Sequence, residues 1–178
     1  AANSGRLAHA WLLTGPRGIG KSTLDYRFAR YLLSRGDDSG LFGEAPAADM
    51  GMDPDNPVFR RVASGGHPDL FTIARSVNPK TNKLRNEIVV GDVRAAIDFL
   101  RLTSGEGGWR VVIVDVADEM NRSSANAILK LLEEPPRAAI ILLVSHAPGQ
   151  LLATIRSRCR RLALKPLGIA LGFFLRLV

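Results

Sequence analysis

Apolar positions along the chain alternate between two rhythms, short continuous runs and stretches with a helical period. His9–Thr14, HAWLLT, reads as a buried strand. Behind it Leu24, Phe28, Tyr31 and Leu32 recur at helical spacing, which predicts a helix over Thr23–Leu33. The rhythm then breaks. Residues 36–66 are rich in Gly, Pro and Asp with scattered single apolar residues, an insertion that is mobile or partly helical and not core. Asp69–Ala74 resumes as a strand. Residues 76–87 form a polar surface loop or hairpin before Ile88–Val90.

Asp92 is placed to cap a helix over 93–104, with Val93, Ala96, Ile97 and Leu100 as its apolar stripe. Trp109–Asp115, WRVVIVD, is an almost unbroken apolar run ending in a carboxylate, the pattern of a central parallel strand. A helix over 123–134 carries Ile128, Leu129 and Leu132 and stops at Pro135 and Pro136. Ala139–Ser145 is another buried strand, 150–157 a short helix, and 160–164 a last strand. Strands alternating with helices imply an α/β domain with a parallel sheet covered on both faces. In such sheets ligands sit at the C-terminal ends of the strands, where Gly15 and Asp115 both fall.

A chain of 178 residues suits one domain, or one domain with a fragment of a second, and 46% apolar content supports a full core. The single cysteine, Cys159, rules out a disulfide within the chain and a cysteine-based zinc site, and fits a reducing cytoplasmic setting. No run is long enough to span a bilayer, so no membrane partner is expected. The net charge of +7 is local. Residues 151–178 hold six basic groups and no acid, whereas the first 150 residues hold 18 basic against 17 acidic. Such a block serves as a solvated face, a nucleic-acid patch or a source of arginines for a neighbouring subunit's phosphates, and composition does not choose among them. For direct DNA binding through Arg160 and Arg161, the segment lacks interleaved aromatic residues on which bases would stack.

Candidate chemistry begins at Gly15–Ser22, GPRGIGKS, the spacing of a phosphate-binding loop between a strand and a helix. Gly15, Gly18 and Gly20 let the backbone turn with positive φ and approach a phosphate closely. Pro16, Arg17 and Ile19 fill the loop, Lys21 reaches the β and γ phosphates, and Ser22 offers a hydroxyl to Mg²⁺. Thr23 then begins a helix whose positive end adds to the attraction for an anion. Asp115 suits the second ligand of Mg²⁺, through the ion's water shell. The residue after it, where many such ATPases place the Glu that activates water, is Val116, and an isopropyl group cannot polarise water. Asp118 and Glu119 would substitute only if the chain curls back.

Three stretches taken together are more specific than the loop alone: Gly15–Ser22, DVADEMNRSSANAILKLLEEPP from Asp115, and LLVSHAPGQLLATIRSRC from Leu142. Over residues 7–167 the chain resembles the AAA+ subunits of bacterial DNA polymerase III clamp loaders, the delta prime group most closely. The resemblance implies a P-loop NTPase (AAA+) fold: a nucleotide-binding domain over 1–166 with the insertion at 36–66, and a tail at 167–178 that is either the start of a lid or atypical. The family's helical lid and collar domains are expected to be absent. It implies that Arg158, in Ser157-Arg158-Cys159, is an arginine finger acting in trans on a neighbour's ATP, and that Ser145 is the sensor near the γ phosphate. It implies ATP or ADP with Mg²⁺ as a static ligand and no zinc, since 36–66 stands where the family often carries a four-cysteine module. The implied partners are the gamma or tau and delta subunits in a ring, with the sliding clamp and primed DNA reached through the complex. Val116 points to a largely non-hydrolytic subunit; the alternative is a hydrolytic gamma- or tau-like ATPase or another P-loop ATPase. His146 is a polar loop residue. Cys159, between arginines, is either a favoured thiolate or a small packed residue.

Overall fold

A computed structural model describes residues 8–34, 50–105 and 108–166. The expectations for the first part of the insertion and for the tail at 167–178 lie outside the described residues. The elements run β1 (Ala10–Thr14), α1 (Lys21–Leu33), α2 (Pro57–Ala63), β2 (Leu70–Ile73), β3 (Val77–Asn78), β4 (Lys83–Leu84), α3 (Val90–Arg101), β5 (Arg110–Val114), α4 (Arg122–Glu133), β6 (Ala139–Ser145), α5 (Ala153–Arg158) and β7 (Arg160–Ala163). Short 3₁₀ turns follow β5, at Ala117–Glu119, and β6, at Pro148–Gln150.

Five strands form one sheet in the order β2-β5-β6-β1-β7. Every pairing in it is parallel. The two central strands, RVVIV and AIILLVS, are buried at every position, which is why they read as apolar runs without alternation. One face packs α3, α4 and α5 against Val112, Val114, Ile141 and Leu143; the other packs α1 and α2 against Val111, Ile113, Ile140 and Leu142. The expected three-layer α/β architecture is therefore present. The polar segment at 76–87 contains a hairpin, with β3 and β4 antiparallel.

Two local expectations are corrected. The second half of the insertion contributes α2, capped by Asn56 Oδ1, which accepts from Val58 N at 2.8 Å. That helix buries Val62, 3% exposed, in the core. Asp92 does not precede α3. It lies in the first turn and accepts from the Val89 amide at 2.9 Å, satisfying a donor from inside the helix. The helix expected behind the loop is present as α1, whose buried face runs Lys21, Asp25, Ala29, Leu32 and Leu33, with Leu24, Phe28 and Tyr31 half-buried.

At the N-terminal end of the sheet a buried ion pair closes the seam between β2, α3 and β5. Arg110 Nε lies 3.4 Å from Asp69 Oδ1, its Nη2 donates to Thr103 O at 2.7 Å, and its guanidinium sits 4.5 Å from the centre of the Phe99 ring. Asp69 also accepts from Ser104 Oγ at 3.0 Å and Gly105 N at 2.8 Å. Pairing of this kind makes a charge tolerable in a core.

Candidate phosphate-loop site

β1 delivers the loop and α1 leaves it. Gly15, Gly18 and Gly20 have φ of 148°, 79° and 87°, conformations that L side chains rarely adopt. Gly15 is further constrained by packing: a Cβ there would lie 2.5 Å from the Leu164 carbonyl oxygen and 2.6 Å from Ile19 Cδ1. The Gly15 position is thus dictated by the chain leaving β7 as well as by any phosphate. Gly20 is the left-handed N-cap of α1, and no side chain caps that helix. The N–H groups of its first turn are therefore available to an anion, reinforced by the helix dipole.

Lys21 is 3% exposed, and its Nζ donates to the carbonyls of Gly15 at 2.8 Å and Pro16 at 2.6 Å. Burial holds this ammonium below its ordinary range, while the charges of Asp118 and Asp115 act the other way. Ser22 Oγ donates to Asp115 Oδ1 at 3.0 Å, joining the two residues expected to share a cation. Both are half-buried, and hydroxyl and carboxylate oxygens are the donors Mg²⁺ prefers. Arg17 and Thr23 are exposed beside them.

Ser145, at the end of β6, is fully buried, and its Oγ donates to Asp118 Oδ1 at 2.6 Å. Asp118 Oδ2 accepts from the amides of His146 at 2.5 Å and Ala147 at 3.0 Å. This carboxylate is tied to the turn after β6. Glu119 is paired instead with Arg75, at 2.9 Å. Arg158 closes α5 at the surface: its Nη1 donates to Thr154 O at 3.1 Å and its Nη2 meets Glu133 Oε1 at 2.7 Å. Cys159 packs against the core, and burial pushes its thiol up to about 12, so it is a packed thiol and not a thiolate.

Of two further groups at the loop, His146 was expected only as a polar loop residue and Asp25 was not singled out by the sequence. His146 is held below its ordinary value by burial first and then by the charges of Lys21 and Arg17, which puts its ring among the loop's cations. Asp25, one turn along α1 from Lys21, is 1% exposed, and its Oδ2 makes no hydrogen bond. Burial, with Asp115 adding to it, pushes the Asp25 carboxyl up to about 8. The one available signal was its spacing: four residues after the loop lysine it falls on the same helix face.

The family described as DNA polymerase III, delta subunit, matches residues 1–168. DNA polymerase III subunit delta′ of Pseudomonas aeruginosa is 39% identical over 153 residues, 85% of this chain and 42% of that protein. Subunit delta′ of Escherichia coli is 34% identical over 164 residues, 92% and 44% of the two chains. Subunit tau of the same organism is 32% identical over 165 residues, 93% of this chain and 23% of tau. Among solved structures, a DNA polymerase III gamma subunit-related protein from Thermotoga maritima matches with a TM-score of 0.58 at 22% identity, covering 92% of this chain and 43% of that one, a likeness of fold. The chain spans less than half the length of these curated relatives.

Proposed function

The chain belongs to the DNA polymerase III delta subunit family, and from that membership we propose that it is the AAA+ module of a clamp loader delta prime subunit, a ring member that holds its partners without hydrolysing ATP itself. Nucleotide, ATP or ADP, sits on Gly15–Thr23 with Asp115 and Ser145 nearby. Ser22 and Asp115 would hold Mg²⁺, which would neutralise charge on the phosphates. Arg158 serves the ATP of an adjoining gamma or tau subunit in a ring that also contains delta, and the sliding clamp and primed DNA are met through that complex. A planar guanidinium suits phosphate oxygens and the charge that develops there during transfer.

The observation that carries the non-hydrolytic reading is the lack of a group to activate water next to Asp115. Val116 follows it, Asp118 accepts three hydrogen bonds from the turn after β6, and Glu119 is held by Arg75. A second reading, a hydrolytic gamma- or tau-like ATPase, is favoured by the complete loop from Gly15 to Ser22. One reconstitution separates them. With partner subunits, Arg158→Ala is expected to leave melting temperature and ADP affinity unchanged while the site it serves slows by about 10³-fold or more; Lys21→Ala abolishes nucleotide binding here and costs the ring less. Normal ring ATPase with Arg158→Ala overturns the finger. Turnover by the isolated protein that disappears on changing Glu119 would establish the second reading.

A further inference from the structure

Near the cation site proposed above, the buried face of α1 carries an acid that the proposed function does not use, Asp25. Lys21 and Asp25 are consecutive members of the buried face of α1, and Ser22 lies three residues before Asp25, the spacing at which helix side chains meet. Ser22 Oγ in turn touches Asp115 Oδ1. Asp25 is therefore on the same turn as the hydroxyl that contacts Asp115, and the charge of Asp115 reaches it.

Among the described residues no cation is paired with this carboxyl. Its Oδ2 is sealed from solvent without a hydrogen bond. Lys21, the one cation on the buried face of α1, gives its ammonium to the Gly15 and Pro16 carbonyls. A buried acid with an orphaned oxygen keeps its proton unless something positive takes the proton's place. Ser22 and Asp115 are half-buried, so both are more open to solvent than Asp25.

We infer that Asp25 is a second carboxylate of the loop's divalent-cation site, so that Mg²⁺ or Mn²⁺ is gathered between Asp25, Asp115 and Ser22 Oγ before any nucleotide is bound. Asp25 acts on the ion directly or through a water of its shell, since Mg²⁺ retains several waters. The inference rests on the nucleotide-site reading of the loop and deepens it, replacing a cation that arrives only with phosphates by one the protein already holds.

The test is a Mn²⁺ titration of the purified protein without nucleotide, followed by the paramagnetic resonance of the free ion, with ADP binding measured separately in EDTA. Wild-type protein is expected to take up Mn²⁺. Asp25→Asn and Asp115→Asn should each weaken that uptake by about tenfold or more. Asp25→Ala serves if the amide fails to fold. Absence of Mn²⁺ uptake by wild-type protein at millimolar ion overturns the inference, as does uptake unaltered in both Asp25 variants; Asp25 is then a neutral buried acid. Loss of ADP binding alone, with Mn²⁺ uptake dependent on Asp25, refutes the nucleotide reading and leaves the cation site standing.

Discussion

Asp25 sets burial and charge against each other, and the conflict has a sign. Its carboxyl is raised from 3.8 to about 8 in the folded chain, first by burial and then by Asp115. Between those values the native state keeps a proton that the unfolded state releases, so stability falls as pH rises through that window. The melting temperature of the metal-free protein is therefore expected to decline from pH 5 to pH 8, and Asp25→Asn should flatten the decline. An equal slope in the variant would show that Asp25 is not its source. His146 contributes with the opposite sign: its ring is held below 6.5, so its share of stability is lost only as pH falls below that ordinary value. Asp25 was not legible in the sequence because an acid on a helix reads by default as a solvated side chain. Lys21 and Ser22 were legible because the loop spacing names them, and Asp115 because it ends an apolar strand.

The same contrast holds for whole elements. β1, β5 and β6 were readable because parallel strands buried on both faces leave unbroken apolar runs. α2 was obscured by its surroundings, since a seven-residue helix with one buried side chain, Val62, hardly marks a segment rich in Gly, Pro and Asp. The helical spacing marked α1 correctly, but it does not tell which face is buried, because two of the buried positions, Lys21 and Asp25, are polar. The loop's first glycine has a role that no motif states. Because a Cβ at Gly15 would meet the Leu164 carbonyl at 2.5 Å, Gly15→Ala must displace either the loop or the end of β7. Urea denaturation should show a loss of about 1–3 kcal/mol, the usual cost of overpacking, and a variant as stable as the wild type would refute the close approach. β7 is also an exposed edge, and Arg160 and Arg161 sit on it with separate engagements: Arg160 over the Trp11 ring at 5.2 Å, Arg161 Nε donating to Thr14 Oγ1 at 3.2 Å. Charged side chains along such an edge discourage another strand from adding there.

Across the molecule, three adjacent strands carry the whole site at their C-terminal ends: β1 gives the loop, β6 gives Ser145, and β5 gives Asp115. Among the described basic residues of the C-terminal segment, three are engaged on separate partners: Arg158 with Glu133 on α4, Arg160 over the Trp11 ring and Arg161 with Thr14. Among the described residues no helix is long and apolar enough to cross a membrane. Position in the sheet also ranks the strands by how they open. β6 is flanked by β1 and β5 and buried along its full length, whereas β7 has β1 as its single neighbour. Amides of Ile140–Val144 are expected to exchange with deuterium only when the entire domain unfolds, and those of β7 through local fraying; equal protection of the two strands would contradict this. The residues that would grip a nucleotide thus hang from the part of the protein that is last to let go, so ligand should slow exchange throughout the core together, and fluctuations of the edge should pass without loosening the grip.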